Sequence, residues 1–137
     1  MAVQTFTSPV RYAPQVQTAN ATVTPMTGFT ITIGNKQVEL YEAKVYAVRD
    51  GATGPVVGVW AMHCVARISS ASGLGEMPSG AAGSTNPTYL SKMFSDATMN
   101  AAFVMTASNQ LVIQVTGLVT TTIDWFAVVD QTVWNST

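Results

Sequence analysis

The chain has 137 residues, of which 47% are hydrophobic and only 9% are charged, and its formal net charge is −1. Soluble domains usually carry about 25% charged residues, so this surface is predicted either to be rich in uncharged polar side chains or to be covered by other subunits. The length fits one domain with a buried core. The basic residues are scattered, which argues against the positive stripe of a nucleic-acid-binding protein.

The first segment, residues 1–27, is rich in Thr, Gln, Ala and Pro. Proline removes a backbone donor and disfavours helix, so we predict an extended N-terminal arm, with residues 28–137 forming one β-sandwich domain. Two interpretations of the arm stay open: a loosely packed terminus, or an arm that docks on a neighbouring subunit. The segment lacks the basic and apolar regions of a signal peptide, so we predict that it is not one.

Phe29, Ile31 and Ile33 alternate with threonine, which predicts a half-buried strand. The next strand is predicted over residues 37–49. Two charged residues interrupt one of its apolar faces, and this change of parity favours a bulge or a bend. A helix over residues 38–48 is the alternative, because Glu, Leu, Ala and Lys are good helix formers.

Residues 56–68 are predicted to form another long strand, and this apolar run is too short to cross a bilayer as a helix. Both of its faces are largely apolar, so it is expected at the centre of a sheet or in a subunit interface. Trp60 lies on one face, and Val57 and Val59 lie on the other. We take these three residues as candidate core or interface positions.

Residues 69–87 are dominated by small side chains and are predicted to be a long loop, a kind of segment that is usually functional or flexible. Gly73 and Leu74 in this loop are candidates for an exposed contact. The glycines of the loop lack the spacing and the lysine of a phosphate-binding loop. A short helical turn is predicted within residues 89–100, with three apolar side chains packing inward: Leu90, Met93 and Phe94.

Two alternating stretches follow a strand and a hairpin turn predicted over residues 101–109. Their apolar positions are Leu111, Ile113, Val115, Ile123, Trp125, Ala127 and Val129. Gly117 stands between them at a turn, so we predict two adjacent antiparallel strands. Ile123 and Trp125 are candidate core or interface residues. Trp134, near the polar C-terminus, is a candidate exposed contact that either packs down or is offered to a partner.

Catalysis needs side chains that converge, and the sequence contains no such set. His63 and Cys64 are neighbours on a predicted strand, so they point to opposite faces and do not form a catalytic dyad. Asp124 and Asp130 share a face, but six residues at about 3.3 Å each separate them by about 20 Å, too far for glycosidase chemistry within one strand. A single cysteine excludes a cysteine-based zinc site. We therefore predict no catalytic residues, no metal site, no cofactor and no enzymatic activity.

The segment from residue 103 to residue 133 carries a family resemblance. Its strand at 111–117, its threonine run at 120–122 and the pair Asp124-Trp125 before a closing apolar strand resemble the C-terminal part of small β-domains in tailed-bacteriophage virion proteins. Such domains occur in tail fibres, tail-spike appendages and head decoration proteins. Together with the strand pattern, the resemblance implies an all-β fold, an antiparallel jelly-roll-like sandwich with an extended N-terminal arm.

The resemblance also implies a non-enzymatic structural protein located in the virion. We expect a capsid decoration or cement protein that binds across capsid-subunit junctions, since the chain has no fibrous repeat. Its partners would be copies of itself, in a trimer, and the major capsid protein or other virion proteins, with no nucleic acid and no membrane. The alternative is a tail-fibre or tail-tip protein that recognises a host surface receptor through residues 69–86. A third possibility, a carbohydrate-binding module, would need exposed aromatic residues in register on one sheet face.

Overall fold

The alternating apolar residues of this chain form strands, because alternation places every second side chain on the same face of a sheet. The structure, a computed structural model, describes residues 5–6, 10–35, 37–49, 57–69, 73–77, 80–81, 85–86 and 89–135. Within these residues there is no helix long and apolar enough to cross a membrane, and the predicted all-β, antiparallel fold is confirmed. The strands are β1 (Thr5–Phe6), β2 (Val10–Tyr12), β3 (Gln15–Thr18), β4 (Val23–Thr32), β5 (Gln37–Arg49), β6 (Val57–Ile68), β7 (Gly75–Met77), β8 (Gly80–Ala81), β9 (Thr85–Asn86), β10 (Tyr89–Phe94), β11 (Asn100–Met105), β12 (Gln110–Thr116) and β13 (Ile123–Asn135).

The strands follow one antiparallel path that nearly closes on itself, in a sandwich-like or barrel-like arrangement. The large sheet has β5 between β6 and β13; β7 and β10 pair along β6, and β1, β2 and β3 pair in turn along β13. The small sheet consists of β4, β12, β11 and β9. β4 joins the two sheets, because it pairs with both β12 and β3. The finer jelly-roll description stays a prediction.

The core lies between the inner faces of the two sheets. The ring of Phe29, on β4, is edge-on to the rings of Tyr41 and Phe103 at centroid distances of 5.7 and 6.2 Å. Trp60 and Trp125, on the large sheet, have ring centroids 5.3 Å apart. Burial of such large apolar side chains is the main driving force for folding. The largest fully buried side chains are Trp60, Trp125, Tyr41, Phe29, Phe103, Met26, Met62, Met99, Met105, Leu111, Ile113 and Ile123.

The bulge predicted within residues 37–49 is absent, and the helix alternative for this segment is wrong. β5 pairs in unbroken register with β13 over its whole length and with β6 from Val38 to Val48. The two charged residues that prompted the prediction, Glu42 and Lys44, are exposed on the solvent-facing side, whereas the odd-numbered residues from 39 to 47 are all buried, so the parity stays constant. Glu39 is buried among them because hydrogen bonds satisfy its carboxyl group. A charged residue on the apolar face therefore did not signal a change of face.

A register shift lies in β4 instead. Gly28 has a φ of +96°, a left-handed conformation that glycine adopts without strain. The pairing of β4 with β12 slips between Val112 and Gln114. As a result, Met26 and Phe29 are both buried although they are three residues apart.

β12 and β13 are not adjacent, so the predicted pairing of these two strands is wrong. β12 pairs with β11 and β4 in the small sheet, whereas β13 pairs with β5 in the large sheet. Gly117, in the connection between the two sheets, allows a close approach: a Cβ there would lie 2.8 Å from the carbonyl oxygen of Asn20. The left-handed residue of this connection is Thr120, with a φ of +53°. Apolar alternation shows which face of a strand is buried but not which strand lies beside it, so it could not reveal that β12 and β13 belong to different sheets.

The helical turn predicted within residues 89–100 is also wrong, because these residues begin with strand β10, which pairs with β6. Phe94 packs inward and stacks on Trp60 at a centroid distance of 6.1 Å. Leu90 and Met93 are exposed, not packed inward. The edge of β6 needs a hydrogen-bonding partner, and this long-range pairing outweighs local helix preference. The loop predicted over residues 69–87 contains β7, β8 and β9 among its described residues.

The N-terminal segment runs along β13 in three short pieces. β1, β2 and β3 pair with successive parts of β13, from its C-terminal end to its N-terminal end. Between β2 and β3, the backbone N–H of Ala127 donates to the carbonyl of Pro14 at 2.9 Å. β4 begins at Val23, and the division of the chain into an arm and a domain at residue 27 stays a prediction.

Candidate functional site

The candidate functional site is the solvent-facing side of the large sheet, which we call the outer face. Even-numbered residues of β5 and β13 and odd-numbered residues of β6 share this face, because side chains alternate along each strand. Its exposed large apolar residues, with those of the neighbouring β10, are Val48, Val65, Leu90, Met93, Phe126 and Val128. A sheet face in contact with water normally carries polar residues, so this composition indicates a binding surface.

An apolar row crosses the outer face over four strands. Met93, Val59, Tyr46 and Phe126 are direct cross-strand neighbours on β10, β6, β5 and β13. The rings of Tyr46 and Phe126 are stacked, with centroids 5.1 Å apart and an interplanar angle of 14°. Met93 is 75% exposed and Phe126 is 45% exposed. The row therefore leaves apolar surface in water that a partner would cover.

A charged row runs parallel to the apolar row. His63, Glu42, Asp130 and Arg11 are neighbours across β6, β5, β13 and β2. Arg11 donates from Nε and Nη2 to the two carboxyl oxygens of Asp130, at 2.8 and 3.2 Å. Hydrogen bonds from this guanidinium hold the pKa of Asp130 below its ordinary value. Like charges directly opposite each other are unfavourable, and the ion pair with Arg11 compensates the charge of the Asp130 carboxyl, which stands opposite Glu42.

The facing carboxyls of Glu42 and Asp130 were not foreseen, because the register of the strands decides which residues stand opposite each other. Opposite residues on paired strands have Cβ atoms about 5 Å apart, so the two carboxyl groups are near enough to be weighed as the acid/base pair of a glycosidase. General acid catalysis needs a carboxyl group with a raised pKa, and the pKa of Asp130 is shifted in the other direction. This arrangement fits an ion-paired binding surface better than a site for proton transfer.

Two open grooves lie along the charged row. One has a volume of about 620 Å³ and is lined by residues that include Leu40, His63 and Val65; the other has about 400 Å³ and includes Lys44 and Leu90. Within the described residues, no group of three or more His, Cys, Asp or Glu side chains is placed to hold a metal ion. His63 is exposed on the outer face while the adjacent Cys64 is buried, so the two side chains point to opposite faces as predicted.

The predicted core or interface residues lie on both faces of the large sheet. Trp60, Trp125 and Ile123 are at most 1% exposed and belong to the inner face. The indole N–H of Trp125 is satisfied there by a side-chain hydroxyl at 2.9 Å. Val59 lies in the apolar row of the outer face and is partly exposed. Val57 begins β6, and its side chain is outside the part of the chain that the structure describes.

The predicted contact residues lie at two places. Gly73 and Leu74 are exposed just before β7, and the N–H of Ser69, after β6, donates to the carbonyl of Leu74 at 2.8 Å. Trp134 is partly buried near the end of β13, where it pairs with Val38. Because β5 lies between β13 and β6, Trp134 is two strands away from β6. Trp134 is thus part of the sheet and not of a polar tail.

Sequence reasoning missed a buried polar network on the inner face. Glu39 accepts hydrogen bonds from the N–H of Gly34 at 3.0 Å, from the hydroxyl of Tyr41, and from the amide of Gln131 at 3.3 Å. Gln131 in turn accepts a hydrogen bond from the hydroxyl of Tyr12 at 3.0 Å, which ties β2 to the core. Burial, and then the Glu39 carboxyl, raise the pKa of Tyr41 well above its ordinary range. The sequence carries one signal for this network: Glu39 and Tyr41 are two residues apart on a strand, so their side chains lie on the same face.

No protein-family model, no curated protein sequence and no solved structure matches the chain.

Proposed function

We propose that the protein is a non-enzymatic structural component of a bacteriophage virion, and that it acts as a capsid decoration or cement protein. The observation that carries the proposal is the outer face, a sheet surface with exposed apolar side chains on a chain with 9% charged residues. Contiguous apolar surface of this kind marks protein-binding sites. The resemblance of residues 103–133 to virion β-domains supplies the partners: further copies of the chain, in a trimer, and the major capsid protein.

Cementing requires buried contact area and no chemical step. Each Å² of apolar surface removed from water contributes about 25 cal/mol, from which the cost of association is subtracted. A protein bound across a junction between capsid subunits adds contacts to both of them, so separation of the junction must also break those contacts. Charged groups at such a surface set the orientation of the partner more than they add affinity.

The proposal is tested on particles of the phage that encodes the chain. Gradient-purified particles are examined by mass spectrometry, and particles from a deletion strain are incubated with the purified full chain. We expect the protein in purified particles, in a fixed ratio to the capsid protein, and a higher temperature of genome release after the protein is added back. Tail-less heads are the control that separates the two virion locations, because binding only to tails would favour the tail-tip function. If the protein is absent from purified particles, both the decoration function and the tail-tip function are contradicted.

Receptor or glycan binding is the second candidate, and the Tyr46–Phe126 pair favours it, because these aromatic residues are in register on one exposed sheet face. The two rings stack on each other, however, so one face of each ring is already covered. A glycan array with the purified chain separates the candidates. A decoration protein is expected to bind no glycan, whereas glycan binding that Phe126→Ala abolishes would favour the second function.

A further inference from the structure

The outer face of β5 carries a palindromic pattern of side chains. In order along the strand, they are Val38, Leu40, Glu42, Lys44, Tyr46 and Val48. Two apolar residues are followed by an acid, a base and two more apolar residues. Reading the strand in the opposite direction gives the same pattern, except that the acid and the base exchange places. The centre of the pattern is Ala43.

This pattern is complementary to itself under a two-fold rotation. The two-fold axis would pass over Ala43, parallel to the plane of the sheet and perpendicular to β5. A second copy related by this axis packs its outer face on that of the first, and the two β5 strands run antiparallel. Such an interface is isologous, so every contact occurs twice. The facing pairs are Glu42 with Lys44, Leu40 with Tyr46, and Val38 with Val48.

We propose that the outer face binds a second copy of the chain through this two-fold contact. Charge complementarity identifies the occupant, because the acid at the centre of one copy faces the base of the other. Within the described residues, the ion pairs are Arg11 with Asp130 and Arg67 with Glu76. Neither ion pair involves the central acid and base of β5, whose charges are therefore available to a partner.

The neighbouring strands extend the contact. Val59 on β6 would face Val65 of the other copy, and Phe126 on β13 would face Thr132, because each pair keeps the register of β5. Ten residue steps of about 3.3 Å across the three long strands β6, β5 and β13, about 4.8 Å apart, give an overlap of roughly 480 Å² on each copy, so the contact is expected to be weak and to depend on concentration. A standard stable interface buries about 800 Å² per partner. Packed sheets cross at about 30°, so the closest contacts are expected over β5.

Other occupants do not use this pattern. A three-fold trimer brings non-identical surfaces together, and an unrelated protein does not require an acid and a base at equal distances from one residue. The two-fold contact covers the same outer face that carries the proposed function, so it bears on that proposal by making a second copy the occupant of this face. The two tests stay distinguishable, because self-association is measured on the purified chain and the virion role is measured on particles. The two-fold contact is also compatible with a trimer, because two trimers joined by this contact form a hexamer.

Self-association of the full chain is measured by light scattering during size exclusion, over a dilution series. We expect a dimer, or a hexamer if trimers also form. Lys44→Glu and Glu42→Lys each place like charges opposite each other, so each is expected to raise the dissociation constant at least about tenfold and to halve the mass. Lys92→Glu makes the same charge change at an exposed position on β10 and is expected to leave the mass unchanged.

Two rescues make the test specific to the facing charges. The double variant Glu42→Lys with Lys44→Glu restores complementarity and is expected to recover the wild-type mass. A one-to-one mixture of the two single variants is expected to associate, because every facing pair then has opposite charges, although neither variant associates alone. A chain that is monomeric at all concentrations, or single variants that keep the wild-type mass, would overturn the proposal. Failure of both rescues in variants that circular dichroism finds folded would overturn it as well.

Discussion

The two faces of β5 make opposite uses of the same residue types. On the inner face, Glu39 is 2% exposed and accepts three hydrogen bonds, and Tyr41 is buried beside it. On the outer face, Glu42 is exposed and Tyr46 stacks on Phe126 at the surface. An odd number of residues along a strand moves a side chain from the core to the solvent. Parity, and not residue type, therefore decides whether a polar side chain supports the fold or is available for binding.

The difference between the faces has an energetic reason. A buried hydrogen-bonding group that loses its partner costs about 1–3 kcal/mol, whereas an exposed group turns to water at little cost. Substitutions on the inner face should therefore lower the free energy of unfolding. Substitutions on the outer face should alter self-association while the fold persists.

Glu39→Leu is expected to have the largest effect, lowering the free energy of unfolding by about 3–5 kcal/mol, because the Tyr41 hydroxyl and one N–H of the Gln131 amide stay buried without their acceptor. Chemical denaturation measures this loss. Glu42→Leu is the matched control, with an expected change of less than about 0.5 kcal/mol. Both are measured at two protein concentrations, since altered association makes the midpoint depend on concentration. Equal losses in the two variants would refute the contrast between the faces.

Tyr41→Phe is expected to lower the free energy of unfolding by about 1–2 kcal/mol. The change removes a hydroxyl that donates to Glu39 and accepts a hydrogen bond from Gln131 at 2.9 Å. Tyr46→Phe on the outer face is the control and should change stability by less than about 0.5 kcal/mol. Thermal unfolding of both variants measures the difference. A loss at Tyr46 as large as that at Tyr41 would mean that the outer hydroxyl has a structural partner.

Phe126→Ser is expected to lower the stability of the single chain by only about 0.5–1 kcal/mol, the typical contribution of an aromatic pair. Its main effect is expected on self-association, with a dissociation constant raised about fivefold or more because an exposed aromatic residue leaves the interface. Sedimentation equilibrium measures this constant. Val119→Ser is the control, because Val119 is 70% exposed in the connection between β12 and β13. A similar weakening by Val119→Ser would place the contact elsewhere.

Asp130→Asn is expected to have the smallest effect, because its ion pair with Arg11 is solvent-exposed. The lowered pKa of Asp130 means that the ion pair stabilises the fold above the ordinary aspartate pKa of about 3.9 and ceases to do so as the pH falls through the lowered value. The midpoint of thermal unfolding of the variant should thus lie slightly below that of the wild type at neutral pH and should coincide with it in strong acid. If the midpoint of the variant instead falls further below that of the wild type as the pH is lowered, the stabilising role assigned to the ion pair is contradicted.

Much of the strand pattern was readable from the amino acids. The strand predicted over residues 56–68 is β6, Val57–Ile68. Alternation also identified the inner faces of β12 and β13, including Leu111 and Trp125. These predictions succeeded because the direction of successive side chains is a local property of an extended backbone.

Local patterns did not reveal which strands are neighbours. The separation of β12 from β13, the strand at Tyr89–Phe94 and the facing of Glu42 with Asp130 each depend on pairing between distant segments. The buried role of Glu39 was not predicted, because its hydrogen-bonding partner Gln131 is 92 residues away. Side-chain direction is set residue by residue, whereas register and burial are set by the packing of the whole chain, and the composition of the outer face depends on that packing.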